Sequence, residues 1–228
     1  LSRLNAFLDS ELETILCRIA GAQGTSEIRT KKKCVIVYCS DNGVVAQGVA
    51  QSDHSVTSSI ARSLAAGTSS VCVMASSCGA DTFPVDVGMI DNVPQVIQHK
   101  TANGTRDFTE GPAMTRDQAE KAILTGIEMA AKKARDGYEI IATGEAGIGN
   151  TSTSSAMASV LLGLEPEAVT GRGSGLSDAG LERKIAAIKK GIRINKPQAG
   201  DAVDVLAKLG GFDIAGMCGT FLGDRKST

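Results

Sequence analysis

The fold of this chain is best predicted from the stretch YEIIATGEAGIGNT, residues 138–151. Residues 138–142, apolar except for Glu139, predict a buried strand, which runs into the glycine-rich segment 144–150. The residues from about Thr151 to Leu162 predict a helix, and Gly163 suits the left-handed position just past its end. A strand, a tight loop and a helix in direct succession are typical of α/β proteins.

The same alternation of strands and helices extends over most of the 228 residues. Residues 34–39 form a continuous apolar run, as in a strand buried on both faces, and residues 83–87 predict a second strand. Segment 71–74 fits a helix or a strand equally well. Further helices are predicted over 55–64, after the Thr115–Gln118 capping box, after Ser177, and over 202–209. The sequence therefore predicts a parallel α/β sheet flanked by helices, Rossmann-like in type.

The first residues of the chain have a different pattern. Apolar side chains recur there at helical spacing, at Leu4, Leu8, Leu12, Ile15, Leu16 and Ile19. This pattern predicts an amphipathic helix that ends near Gly21 or Gly24. We therefore expect a smaller N-terminal helical segment, residues 1–30, followed by an α/β nucleotide-binding domain, residues 31–228.

Composition excludes several classes of protein. Lys plus Arg is 24, Asp plus Glu is 25 and aromatic residues are 3%, which argues against nucleic-acid binding. No run of ~18 apolar residues is present to span a membrane. The six cysteines form no C-x-x-C pair and no signal peptide is evident, so we expect reduced thiols in a cytoplasmic protein. His54 and His99 have no ligand spacing around them, and we expect neither a metal site nor a cofactor.

Two glycine-rich loops are candidates for an anion site, because ligands of open α/β sheets bind beyond the carboxyl ends of the strands. The loop 144–151 combines glycines with a helix N-terminus, which suits a phosphate. A tight βα turn with an Asn cap explains the pattern equally well. The second loop is 171–175, and Lys184 on the following helix could reach an anion bound at both loops. Alternatively, Lys184 extends along the rim of the core with its charge in water.

Three carboxylates follow predicted strands. Glu145, in the loop between Gly144 and Gly147, could hold a cationic ring or accept a proton, or it could be a solvated loop residue. Asp41 and Asp86 could each bond a neighbouring turn amide, and for Asp86 that is the preferred interpretation.

Several stretches of the sequence match one known family in the same order. They are SDNGVVAQGV at 40–49, VDVG at 85–88, EGPAMT at 110–115, GEAGIGNT at 144–151 and DVLAKLGGF at 204–212. Together they resemble the nicotinate-nucleotide–dimethylbenzimidazole phosphoribosyltransferase family, over about residues 4–223.

The resemblance implies an activity and a set of site residues. Family members move the 5-phosphoribosyl group of nicotinate mononucleotide onto an aromatic base, usually dimethylbenzimidazole, during cobamide synthesis, and are usually dimeric with a parallel α/β sheet. By resemblance, Glu145 is the catalytic, acceptor-side carboxylate, and Asp41, Ser52 and Ile60 lie on the acceptor side. The implied phosphate-side residues are Gly147, Gly149, Asn150, Thr151, Gly173 and Lys184.

The chain departs from the family pattern at two acceptor-side positions. Family members commonly have Asp-His-Gly where this chain has Asp41-Asn42-Gly43, and often a glutamine where it has Ile60. Because of these changes, two acceptors remain possible: dimethylbenzimidazole, or a phenol as in a related two-subunit branch of the family.

A further departure concerns the catalytic base. Family proteins carry it in an Arg-Leu-Gly-Glu-Gly motif, which does not occur in these 228 residues. We therefore expect the chain alone to bind the nucleotide but to turn over poorly, and to work as a homodimer or with a homologous subunit.

Overall fold

A central sheet of four parallel strands organises the protein. The computed structural model describes residues 11–224. The strand order in the sheet is β3-β2-β1-β4. The strands are β1 Lys33–Ser40, β2 Ala80–Gly88, β3 Ile97–Gln98 and β4 Ile140–Ala146. The predicted class, a parallel sheet flanked by helices, is confirmed.

Helices connect the strands and cover both faces of the sheet. They are α1 Glu11–Gln23, α2 Ser55–Ala65, α3 Ser70–Ser77, α4 Arg116–Arg135, α5 Asn150–Leu162, α6 Pro166–Val169, α7 Asp178–Asn195, α8 Ala202–Leu209 and α9 Phe212–Asp224. A short 3-10 helix, Gly43–Gln47, follows β1.

Two helices begin, and one ends, at the capping residues that the sequence predicted. Thr115 accepts the N–H of Gln118 while the Gln118 side chain accepts the N–H of Thr115, which is a complete capping box at the start of α4. Ser177 likewise accepts the N–H of Gly180 at the start of α7. Gly163 ends α5 with φ 65°, in the left-handed conformation predicted for it.

Strand β1 lies at the centre of the core. It is almost wholly buried and pairs with β2 on one side and β4 on the other, so that Tyr38 stands opposite both Val85 and Glu145. Helices α4 and α9 cover one face of the sheet, where Tyr38 packs with Phe212. Helices α2 and α3 cover the other, where Val37 packs with Leu64 and Cys72.

Some elements differ from their prediction. Strand β4 continues to Ala146, so Glu145 belongs to the strand and not to the loop, because the β1 pairing extends past Gly144. Segment 71–74 is part of helix α3, and the sequence did not predict β3, α6 or α9. Helix α1 confirms the later part of the N-terminal helix, whereas Leu4 and Leu8 lie outside the described residues. The division at residue 30 stays a prediction.

The cysteines are all unbridged. Cys34, Cys39 and Cys72 are buried, and Cys72 lies in α3, not in a strand. Burial raises the pKa of Cys39 to about 12, which keeps this thiol protonated. Within residues 11–224, no helix combines the length and the apolar character that a membrane crossing needs.

Helix α9 packs on α4 through glycines at unusually short range. A Cβ at Gly219 would overlap the carbonyl oxygen of Ile123, and one at Gly126 would overlap the carbonyl oxygen of Gly216. The two backbones can therefore approach closely only because these positions lack side chains.

We expect Gly219→Ala to lower the free energy of unfolding by about 3 kcal/mol, because the added methyl group must separate the two helices. Urea unfolding measures the difference. Gly111→Ala is the matched control, since its Cβ meets no atom within 4 Å. Equal stabilities of the two variants would contradict the close packing of α4 on α9.

Candidate active site

The carboxyl ends of β1 and β4 open into a cleft of about 310 Å³. The cleft is lined by the end of β4, the following loop, the second glycine loop and one face of α7. All the predicted site residues except Asp41 line it: Ser52, Ile60, Glu145, Gly147, Gly149, Asn150, Thr151, Gly173 and Lys184. The tertiary structure thus brings together residues that are up to 132 positions apart, from Ser52 to Lys184.

Side chains from neighbouring elements hold the loop 147–150 in place by hydrogen bonds to its peptide groups. Thr57 Oγ1 accepts the N–H of Ile148 at 3.1 Å, and Asn42 Nδ2 donates to the Ile148 carbonyl at 3.2 Å. A Cβ at Gly147 would overlap the carbonyl oxygen of Ser40, and Gly149 has φ 90°. Glycine is therefore required at both positions, by close approach at the first and by backbone conformation at the second.

Helix α5 begins at this loop and directs its N-terminus at the cleft. Gly149 is its N-cap and provides no side-chain cap, so the Asn cap of the alternative interpretation is not formed. The side chain of Asn150 instead accepts the N–H of Thr151 and donates to Glu145. The partial positive charge of a helix N-terminus favours an anion here.

The first turn of α5 carries the hydroxyl groups of Thr151, Ser152 and Thr153, and only that of Thr151 faces the cleft. Thr151 is exposed and accepts a hydrogen bond from Lys184. Ser152 and Thr153 are fully buried, because helical periodicity turns them towards the core.

Lys184 is buried at the floor of the cleft. It is 1% exposed, so it does not extend along the rim of the core as the alternative interpretation proposed. Its Nζ donates to Thr151 Oγ1 at 2.8 Å and to the Gly171 carbonyl at 3.2 Å, and no carboxylate within residues 11–224 pairs with it. Burial lowers its pKa. A buried ammonium group without a counter-ion is costly, and a bound anion would compensate it.

Glu145 also lines the cleft, on the strand at the edge of the sheet. Its carboxylate accepts a hydrogen bond from the Asn150 side chain. Glu145 is exposed, yet the surrounding protein desolvates its carboxylate enough to raise its pKa, and the Asn150 amide opposes that shift. A carboxylate with a raised pKa is a better proton acceptor near neutral pH than an ordinary surface glutamate.

The cleft continues beyond Glu145 into an apolar trench of about 440 Å³. Ile60 and Glu145 line both spaces. The trench floor is formed by Val37, Leu64 and Val71, and serines line it as well. An apolar slot beside a carboxylate suits a flat aromatic molecule.

Comparison with known proteins identifies the family. A model described as a phosphoribosyltransferase matches residues 10–227. The chain belongs to this phosphoribosyltransferase family.

Individual relatives carry more specific names. The chain is 42% identical over 219 residues to a nicotinate-nucleotide–dimethylbenzimidazole phosphoribosyltransferase of Clostridium tetani, covering 95% of the chain and 60% of the relative. It is 47% identical over 214 residues to one of Ruminiclostridium cellulolyticum, covering 93% and 61%. The crystal structure of CobT from Thermus thermophilus matches with a TM-score of 0.90 and 32% identity, covering 96% of this chain and 66% of that one. The chain thus spans about three fifths of the length of these curated relatives.

Two aspartates lie outside the lining of the cleft. Asp41 is 2% exposed, and its Oδ2 accepts the N–H of Ile90, so the structure does not bring this predicted substrate-binding residue to the cleft surface. Burial raises its pKa. Asp86 Oδ1 accepts the N–H groups of Gly88 and Met89, which confirms its turn-bonding role.

Sequence reasoning missed residues that support or line the cleft. Arg172 lines it beside Gly173, and Thr57 and Asn42 anchor the loop from neighbouring elements. Arg172 was visible as a charged residue between two glycines, whereas the roles of Thr57 and Asn42 depend on contacts distant in sequence. Among residues 11–224, no group of three or more His, Cys, Asp or Glu side chains is arranged to hold a metal ion.

Lys184→Met should leave the free energy of unfolding unchanged or raise it by ~1 kcal/mol in the absence of ligand, because it removes an unpaired buried charge. Urea unfolding checks this. Lys189→Met, at a half-exposed position on the same helix, is the control and should change stability by less than ~0.5 kcal/mol. A large loss in Lys184→Met alone would mean that Lys184 serves the fold and not an anion.

Proposed function

We propose that this chain binds nicotinate mononucleotide and transfers its 5-phosphoribosyl group to an aromatic base that becomes the lower ligand of a cobamide. The observation that carries the proposal is the buried, unpaired Lys184 facing a glycine-lined cleft that also contains Glu145. The names of the relatives support the same reaction.

The phosphate is proposed to bind at the Lys184 end of the cleft. There, the ammonium group, the N-terminus of α5 and the hydroxyl of Thr151 converge. A phosphate bound at this point would be the counter-ion of Lys184, which no carboxylate within residues 11–224 provides. It also lies where the glycines of the loops 147–150 and 171–175 permit close approach of the backbone.

Glu145 is proposed to act on the acceptor. The bond from C1′ to the nicotinate nitrogen breaks as an acceptor nitrogen or oxygen attacks from the opposite face, with positive charge developing on the ribose. The carboxylate of Glu145 is placed to stabilise that charge or to take the acceptor's proton, and its raised pKa suits the second role. Holding two reactants in line can supply ~7–11 kcal/mol of the barrier reduction.

The trench beside Ile60 is proposed to hold the acceptor ring. Its apolar floor matches dimethylbenzimidazole, and an apolar Ile60 suits a phenol at least as well. A panel of dimethylbenzimidazole, phenol and p-cresol distinguishes the two classes. We further propose a cytoplasmic protein that works as a dimer.

A second candidate function is a nucleotide-binding subunit without catalysis of its own, which stabilises a catalytic homologue. The buried Lys184 and the two glycine loops account for nucleotide binding without any catalytic group, which is all that this function requires. In that case Glu145 contributes to binding and not to turnover.

Calorimetric titration with nicotinate mononucleotide tests the proposal. We expect the chain to bind and Lys184→Met to bind at least ~10-fold more weakly, with the difference shrinking as salt rises. Lys189→Met should bind like the unmodified chain. A parallel assay of nicotinate release with the acceptor panel separates the transferase, which releases nicotinate, from the subunit, which does not. Absence of binding would refute both.

Glu145→Gln keeps the shape of the side chain and removes its charge. We expect the rate of nicotinate release to fall ~100-fold, because proton transfer by a positioned side chain contributes on that order, while the Kd for the nucleotide changes less than ~3-fold. Glu139→Gln, just before the start of β4 and away from the cleft, is the control. Parallel losses of release and binding would assign Glu145 to nucleotide binding instead.

A further inference from the structure

The second glycine loop, residues 171–175, contains an arginine to which the proposed reaction gives no role. Arg172 lines the cleft and lies between two glycines of the loop. Its Nη1 donates to the Leu176 carbonyl at 3.0 Å, and its Nη2 donates to the carboxylate of Asp178, the first residue of α7. Both terminal nitrogens of the guanidinium group are therefore bonded to residues that follow the loop.

The backbone of Arg172 closes the same segment as well. Its carbonyl oxygen accepts the N–H of Gly175 at 3.3 Å and the N–H of Leu176 at 3.1 Å. With the two side-chain bonds, four hydrogen bonds thus join Arg172 to the residues that lead into α7. On the other side of the loop, Gln51 Nε2 donates to the Gly175 carbonyl. The loop is held between α7 and the segment that contains Gln51.

The ion pair of Arg172 with Asp178 adds little to the stability of the fold. The two side chains are 50% and 87% exposed, and ion pairs at such positions contribute little to folding. We therefore expect the fold to tolerate the loss of this pair. What the pair does fix is the conformation of the second glycine loop, which lies against Lys184 at its first residue.

The loop supplies one of the two acceptors that orient Lys184. The Gly171 carbonyl accepts from Lys184 Nζ at 3.2 Å, and Thr151 Oγ1 accepts at 2.8 Å. A Cβ at Gly173 would be 3.6 Å from Nζ, so the loop backbone passes close to the ammonium group. Because an ammonium group has three N–H donors, one is left for an anion, and the two acceptors set its direction. Thr151 is fixed in α5, whereas Gly171 depends on the conformation of the loop.

We propose that Arg172 is a positioning residue. Paired with Asp178, it holds the second glycine loop in the conformation described above. The Gly171 carbonyl then directs the remaining N–H of Lys184 towards the bound phosphate, which Arg172 itself does not contact. The inference rests on the proposed function only in that the anion is taken to be the phosphate of nicotinate mononucleotide.

Asp178→Ala distinguishes this role from a direct contact between Arg172 and the phosphate. The variant removes a negative charge, so electrostatics alone would strengthen the binding of an anion. It also removes an acceptor that holds Arg172, so the positioning role requires weaker binding. We expect the Kd for nicotinate mononucleotide to rise about fivefold, the effect of one hydrogen bond. Glu120→Ala is the matched control, since it removes the carboxylate of another half-exposed arginine pair, that of Arg116, and should leave the Kd unchanged.

Arg172→Lys keeps the positive charge but loses the planar fork that bonds two acceptors at once. In calorimetric titrations at high salt, where charge effects are screened, we expect it to bind the nucleotide as weakly as Arg172→Gln, about tenfold below the unmodified chain. The loss in Arg172→Lys should persist from low to high salt, whereas the loss in Lys184→Met shrinks. A direct charge contact predicts instead that the lysine variant retains its affinity.

The conformation of the loop is followed separately, without ligand. In isotope-labelled chain, we expect two-dimensional NMR to show displaced amide signals of Gly171 and Gly173 in both Asp178→Ala and Arg172→Lys. Glu120→Ala should leave these signals in place. The midpoints of urea unfolding should be the same in all three variants as in the unmodified chain, because the pair is exposed.

Four outcomes would overturn the proposal. They are tighter nucleotide binding in Asp178→Ala, retained affinity in Arg172→Lys, loop signals that do not move, and unfolding midpoints that fall in step with the affinity, which would make Arg172 a structural residue. If even the unmodified chain does not bind the nucleotide but the loop signals move as expected, the proposed function fails, while the role of Arg172 in holding the loop stands.

Discussion

The parallel pairing of β1 with β4 is the constraint on which the site depends. It places Cys39 opposite Ala146, so the turn after β1 and the loop after β4 leave the sheet side by side. Gly147 then packs against the Ser40 carbonyl with no room for a side chain. A shift of one residue in this register would turn Glu145 to the opposite face of the sheet and would separate Asn42 from Ile148.

Two opposite charges occupy the resulting cleft, and each is maintained in a different way. Lys184 is buried, and within residues 11–224 no carboxylate pairs with it, but Thr151 and Gly171 accept its hydrogen bonds. Glu145 is exposed at the sheet edge, where the Asn150 amide opposes the rise in its pKa. A buried charge without a counter-ion costs stability, so the Lys184 end of the cleft is the less stable of the two.

Several features were predictable because they depend on short segments. The Thr115 capping box, the Ser177 cap and Gly163 act within one helical turn, and each is where the sequence put it. The burial of Lys184 was harder to predict, because the apolar periodicity of its helix places it beside the buried face and not on it. The buried stripe of α7 in fact runs through Gly180, Lys184 and Ala187, because small residues let neighbouring elements approach there. Helix α9 was not predicted for the same reason, because its glycines are sites of close helix packing and do not end the helix.

The alternation of strands and helices and the glycine loops could be inferred from the sequence alone, and several collinear motifs indicated the family. These are properties of local periodicity, backbone conformation and ordered short patterns. The folded structure was needed to show that Asp41 lies behind the cleft, that no carboxylate within residues 11–224 pairs with Lys184, and that Gly147 packs against the Ser40 carbonyl. Such facts depend on which residues distant in sequence share a space of a few ångströms. The sheet register and the packing of the helices decide which residues become neighbours, and a short stretch of sequence carries no information about that.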